Sequence, residues 1–403
     1  MKKGWELKQL GDVCDKASSN VSQNQLGNEV GEYPIFGASG LIKNVSFYHQ
    51  DKPYLSIVKD GSGVGRVTKM DAYTSVIGTL QYILPNEGID LDYLNYSLMS
   101  VDFKKYVAGA AIPHIYFKDY KNEPFLWMPL SEQKQIVSVL DEAFAAIAKA
   151  KANAEQNLKN AKELFESYLQ GVFENKLHGS KFETLDSLCE LIVDCEHKTA
   201  PTQETGYPSI RTPNIGKGVL ILEGVNRVSE KTYNGWTRRA IPQADDLILA
   251  REAPAGNIAV IPENVKVCLG QRTVLIRPKK NKIISKFLAH LILSKDVQEQ
   301  LLSHSTGATV EHINMKDIRA FKIYNLSPLT EQQTIVQNLE ALLTETKKLE
   351  VIYNQKINDL EELKKSVLQK AFSGSLNYDS SDLYDYGEGD NGKSRKSIQS
   401  QKS

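Results

Sequence analysis

Two histidines, His114 and His312, stand in matching surroundings: GAAIPHIYFKDY begins at Gly109 and GATVEHINMKDI at Gly307, each with a Lys-Asp pair shortly after the histidine. A repeated imidazole is a candidate general base. That chemistry needs a nucleophile or a carboxylate partner, and neither half of the sequence supplies an evident one. Both histidines are therefore read as loop-ordering or backbone-contacting groups. Cys189, Cys195 and His197 are metal-donor types, but a fourth ligand at suitable spacing is missing, as are HExxH and CxxC patterns. With Cys14 and Cys268 they form no disulfide framework and are expected as reduced thiols. The run GSGVG from Gly61 resembles a dinucleotide-binding loop, yet RVTKM and the aromatic residues after it read as a strand rather than the helix a pyrophosphate requires. A turn or bulge is the expectation there. With no GxxxxGK[ST] loop either, the sequence offers no catalytic residue and no metal site. It reads as a binder that orients something for another protein's chemistry.

The elements that carry these loops are written twice. PLSEQKQIVSVL from Pro129 returns as PLTEQQTIVQNL from Pro328, an offset of 199, so that Glu132, Gln133, Ile136, Val137 and Leu140 match Glu331, Gln332, Ile335, Val336 and Leu339. The helix ends match at the same offset, LQGVF answering LQKAF. Two long units favour a closed pseudo-two-fold object over an open solenoid. From Leu140 the positions Phe144, Ile147, Lys151, Ala154, Leu158, Ala161, Phe165, Tyr168 and Val172 alternate by three and four, a heptad seam. The second copy offers Leu339, Leu342, Thr346, Leu349 and Tyr353, then Ile357, Leu360 and Val367 after a stutter. A helix of about 44 residues is roughly 65 Å long, and the economical way to bury two such seams is against each other, antiparallel, although a coiled-coil homodimer would also bury them. Ser131 and Thr330 suit the N-caps.

Residues 1–128 and 181–327 carry short β-branched and aromatic runs (YLSIV, VIGTLQYIL; LILA, IAVI, TVLIRP) between Gly, Pro and Asn turns, with one helical stretch each: LDYLNYSLMSVDFKKYV and ISKFLAHLILSKDVQEQLL. The fold class expected is α+β: two mixed α/β domains separated by two long antiparallel helices, with an internal pseudo-two-fold repeat. The boundaries are 1–128 for the first domain, 129–180 for the first long helix, 181–327 for the second domain and 328–376 for the second long helix. Residues 377–403, rich in Ser, Asp, Gly and Lys, are expected as a disordered tail.

Net charge is zero across 403 residues, with 49 basic and 49 acidic, which argues against a strongly cationic nucleic-acid binder. Only 181–327 is basic, with 20 Lys and Arg against 16 Asp and Glu. Any DNA affinity must come from local patches or from a partner's charge. No stretch approaches the roughly 18 apolar residues needed to span a bilayer, and MKKGWELKQL lacks an apolar signal core. A cytoplasmic protein with no membrane association is expected.

Two variable globular segments, each closed by a PLxEQxxIV helix ending in LQGVF or LQKAF, resemble the specificity subunit of bacterial type I restriction–modification enzymes. GWELKQLGDVC, its echo KFETLDSLCEL, and the loops YPIFGASG, IVKDGSGVGRV and REAPAGNIAVIPE are similar to that family's target recognition domains. The resemblance covers about residues 1–376. It implies two target recognition domains held apart by two conserved helices, each reading half of a split, asymmetric sequence in double-stranded DNA. It implies no catalysis by this chain. Two modification (methyltransferase) subunits would dock on the helices with S-adenosylmethionine and methylate the exocyclic amine of adenine. Restriction (motor and nuclease) subunits would bring ATP and Mg. Side chains that suit base or phosphate contact from such loops are Lys43, Lys59, Ser62, Arg66, His114 and Tyr116 in the first domain. In the second they are Arg211, Asn214, Arg251, Arg272, His312 and Asn314, with Arg211 and Arg251 leaving strands into Pro and Gly loops. Glu132, Gln133, Glu331 and Gln332, at matched helix starts, are the candidate partner-binding residues. The competing readings are a coiled-coil scaffold without DNA readout and a self-sufficient DNA-modifying enzyme.

Overall fold

The computed structural model describes residues 4–109, 111–174, 179–252, 255–303 and 312–373. The expected tail at 377–403 lies outside them, as does the start of the second repeated loop from Gly307. The chain divides into two compact units, Met1–Glu155 with Gln355–Ser403 and Gln156–Asn354.

In the first unit a four-stranded antiparallel sheet has the order Cys14–Ser18, Leu80–Pro85, Tyr54–Val58, Val67–Met70. All five residues of Tyr54–Val58 are buried, which is why YLSIV is an unbroken run rather than an alternation. A three-stranded sheet, Gly40–Val45 beside Tyr33–Gly37 beside Ser75–Val76, mixes antiparallel and parallel pairing. Glu6–Gln9 pairs with Pro124–Trp127, joining the two ends of the segment just ahead of the long helix. The second unit repeats the plan. Its main sheet runs Cys189–Asp194, Thr273–Pro278, Leu247–Ala250, Ile258–Val260, with Gly218–Val219 added at the edge. Its smaller sheet is Arg227–Val228, Tyr207–Ile210, Cys268–Leu269, and Phe182–Thr184 pairs with Lys322–Tyr324.

The long helices span Leu130–Phe173 and Leu329–Phe372, 44 residues each. Both units use the start of one and the end of the other. In the first, Ile136, Leu140 and Ala371 share an apolar core with Leu55, Ile57 and Leu94, and Lys151 meets Glu361 at 2.5 Å. In the second, Leu169, Phe173, Val336 and Leu339 join the core of Leu247, Leu249 and Phe287. A start packed beside an end makes the pairing antiparallel within each unit. The terminal aromatics repeat the trick: Phe372 lies 5.2 Å from Tyr93, and Phe173 lies 5.2 Å from Phe287.

Three local expectations need correction. The seam passes through Leu169, 6% exposed, rather than Tyr168, 41% exposed, because the last turns face a globular core instead of a heptad partner. Leu349 is 38% exposed while Thr346, three residues earlier, is 2% exposed. Thr346 fits there because its hydroxyl bonds back to the carbonyls of Leu342 and Leu343, so no polar atom is left unmet. The expected helical stretches are also shorter. The first helix is Leu91–Ser100, capped by the Asp90 carboxylate. The second breaks at Ser294, whose extended backbone separates Ser285–Leu293 from Lys295–Ser303.

Candidate nucleic-acid interface

The repeated glutamine at each long-helix start is a clamp. Gln133 Oε1 accepts from the Asp90 amide at 2.8 Å, and its Nε2 donates to the carbonyls of Gly88 at 2.9 Å and Met128 at 2.8 Å. Gln332 does the same with the Ile284 amide at 2.9 Å and the carbonyls of Lys282 at 3.0 Å and Ser327 at 2.8 Å. Both side chains are fully buried. The expectation that Gln133 and Gln332 face a partner is thus corrected: an amide satisfies an N–H and two C=O groups at once, and it ties each long helix to the domain helix beside it. The glutamates beside them have different surroundings. Glu132 accepts from the Trp5 indole N–H at 2.6 Å, and the exposed Glu331 accepts from the Ser327 hydroxyl at 2.8 Å.

The main sheet of each unit ends an inner strand in a basic–acidic pair: Lys59-Asp60 after Tyr54–Val58, and Arg251-Glu252 after Leu247–Ala250. The His-Ile step of the repeated loop lies alongside. The Ile115 amide donates to the Lys59 carbonyl at 2.9 Å and that of Ile313 to the Arg251 carbonyl at 3.0 Å. His114 bridges to Asp60, and His312 to Glu252. The two histidines are thus equivalent, as their spacing suggested, and each is a rung beside a strand end.

In the second unit the side chains form a chain of charge. Buried Arg251, its side chain 8% exposed, donates from Nε to the Ile313 carbonyl at 2.9 Å and from Nη1 to Asp194 Oδ2 at 2.7 Å. Its Nη2 lies 2.8 Å from His312 Nε2. A guanidinium only donates, so Nε2 accepts and Nδ1–H donates to Glu252 Oε1 at 2.8 Å. Glu252 then holds the exposed Arg272, Nε to Oε2 at 2.8 Å. Arg251 therefore positions this network from inside, and Arg272 is its outward end.

The other chosen residues divide similarly. Lys43 donates to the carbonyls of Leu26 and Gly27, Arg66 to that of Ala38. Asn214 is spent on its own turn, accepting from the Arg211 amide and donating to Ile221, while Asn314 donates to Asp317. Ser62, Arg66, Tyr116 and Arg211 are exposed, Lys59 is half-exposed beside Asp60, and Tyr116 lies 4.8 Å from the His114 ring. Sequence reasoning passed over Arg238 and Arg239. Arg238 forks onto Glu196 at 3.0 and 2.9 Å, Arg239 reaches the same carboxylate at 3.5 Å, and the guanidinium of Arg238 holds the Glu196 carboxyl below its usual range. The Arg-Arg pair was a usable signal.

GSGVG is the turn expected: it joins the antiparallel strands Tyr54–Val58 and Val67–Met70, with Gly61 and Gly65 at φ of 95° and 86°. Among the described residues Asp194, Cys195 and His197 gather donor atoms within 4.8 Å of one another, with Asp194 in the place imagined for Cys189. Asp194 is already the counter-ion of Arg251, so an added cation would face a guanidinium. All four cysteines are free and buried, and burial pushes the thiols of Cys14 and Cys189 up to about 12. Among the described residues no helix is long and apolar enough to cross a membrane.

Two matched strand-end scaffolds on two equivalent units define a duplicated recognition protein. The family model described as the type I restriction modification DNA specificity domain matches residues 2–159 and again 179–362. The chain belongs to that family, and with two copies of the domain it has the form of a specificity subunit. Among its relatives, the type I restriction enzyme MjaVIII specificity subunit of Methanocaldococcus jannaschii is 24% identical, over 92% of this chain and 93% of that one. The EcoBI specificity subunit of Escherichia coli is 25% identical over 62% and 57%. The solved HsdS subunit from Thermoanaerobacter tengcongensis superposes with a TM-score of 0.58 at 16% identity, covering 93% of this chain and 98% of that one. A chain from a study of assembly and conformational transition of the type I R-M system gives 0.70 at 17% identity, covering 93% and 99%.

Proposed function

We propose that this chain is the non-catalytic DNA-specificity subunit of a type I restriction–modification complex, each unit reading one half of a split, asymmetric duplex target. The observation that carries this is the strand end built twice on one hydrogen-bonded scaffold with different side chains. Lys59, Asp60 and Thr79 stand in one copy where Arg251, Glu252 and Arg272 stand in the other. A duplicated scaffold with unlike side chains suits two unlike half-sites. Two modification subunits bring S-adenosylmethionine and dock on the matched long helices, with Glu132 and Glu331 at their starts. Restriction subunits bring ATP hydrolysis and Mg. The complex works in the cytoplasm, and its partners supply much of the phosphate contact that a neutral chain lacks.

Methylation mapping of a host carrying this chain and its modification partner tests the proposal. The expected result is one two-part adenine motif with unlike halves. Methylation or cutting of DNA by the purified chain alone would establish the enzyme reading instead. Failure of the chain and its partner together to bind duplex DNA would favour a plain scaffold.

A further inference from the structure

Three backbone hydrogen bonds recur at the two strand ends. The Ile77 amide donates to Phe36 and that of Gly270 to Ile210; the Lys59 amide to Thr79 and that of Arg251 to Arg272; the Ile115 amide to Lys59 and that of Ile313 to Arg251. They fix Thr79 and Arg272 as the same place in the fold, the last residue of the turn before Leu80–Pro85 and Thr273–Pro278 respectively.

The backbone there differs in one respect. Arg272 sits at φ of 65°, the left-handed region that residues with a Cβ seldom adopt and normally leave to glycine, whereas Thr79 has no positive φ. The surrounding turn imposes this. The Thr273 hydroxyl donates to the Gly270 carbonyl at 2.8 Å, and Gln271 links to Thr199 and to the His197 carbonyl. Gly270 cannot itself be replaced, because a Cβ there would lie 2.5 Å from the Arg211 side chain. Strain that the surroundings over-determine is characteristic of functional positions. Its product here is a guanidinium 60% exposed, aimed by a carboxylate that is in turn held by His312. A guanidinium held in one orientation presents its planar fork to a bidentate partner, and the paired acceptors on a base edge are one such partner.

We infer that Thr79 and Arg272 are one and the same base-reading position in the two units, with Arg272 taking the O6 and N7 edge of a guanine in the major groove. This rests on the specificity-subunit reading and adds which residue discriminates. Threonine at the matched place contacts a base by its hydroxyl or its methyl, a weaker and different preference.

The test uses the full chain with its modification partner, methylating duplexes in which each target base pair is changed in turn, alongside thermal unfolding of the chain. Arg272→Gly relieves the backbone, so the melting temperature should hold or rise while discrimination at one G·C pair of one half-site falls by about 5- to 150-fold. Thr79→Ala should alter only the other half-site. Unchanged discrimination at every position, within about twofold, overturns the assignment, and so does a fall in melting temperature accompanied by loss at all positions, which would make Arg272 a structural prop. A wild-type complex that shows no two-part preference overturns the parent reading as well.

Discussion

Replacing Gln133 by leucine keeps a side chain of similar size but strips three hydrogen bonds from the junction between the first long helix and the domain helix Leu91–Ser100. The Met128 carbonyl bond is buried, so leaving that oxygen unpaired costs about 1–3 kcal/mol. The bonds at Gly88 and Asp90 are only partly buried, and water can replace them at a loss of about 0.5–1 kcal/mol each. The sum is about 2–5 kcal/mol, a large share of a domain's net stability. Denaturant unfolding reads the total, and amide exchange reads the site, because the Asp90 N–H loses the acceptor that protects it. Gln332→Leu should repeat the result at the Ile284 amide. A loss under about 0.5 kcal/mol with exchange at Asp90 unchanged would refute the clamp and return Gln133 to the role of a surface residue.

Arg251→Ala takes the buried guanidinium from Asp194, leaving it the His197 ring and the Cys195 amide, and should destabilise the second unit by about 3 kcal/mol in denaturant titrations, whereas Arg211→Ala should spare stability and lower the salt slope of DNA binding by about one unit. Burial holds His290 below its ordinary value, with Glu340 pulling it up and Lys286 down. The unfolded state therefore binds the proton first: stability is full above the unfolded value near 6.5 and is lost as pH falls through it toward the folded value. His290→Leu should flatten a melting curve recorded between about pH 7 and pH 5; His49 contributes the same sign in the first unit. Native mass measurement should find two modification subunits per chain, and a one-to-one complex would contradict docking on matched helices.

What the sequence made legible was whatever repeats or alternates. The offset of 199 located both long helices and both glutamines, and the His-Ile loops pointed to equivalent strand ends. What it left hidden depends on direction. Gln133 and Glu132 are neighbours in a polar helix start, and only the three-way geometry of an amide shows that one faces inward. Arg251 and Arg272 are both arginines beside loops, yet one is buried against Asp194 and the other exposed on Glu252. Composition and spacing carry no sign of that difference, because it is set by Asp194 and His312, which are distant in sequence. Thr79 escaped for a related reason: its match to Arg272 lies in backbone hydrogen bonds, not in side-chain identity.

The independence of the two readers is tested most directly by exchange. Residues 181–327 are replaced by the corresponding segment of another specificity subunit, and the methylated motif is mapped in a host carrying the modification partner. One half of the motif should change to the donor's and the other half should stay as it was. A change in both halves, or in neither, would contradict a chain in which each unit reads its own half-site.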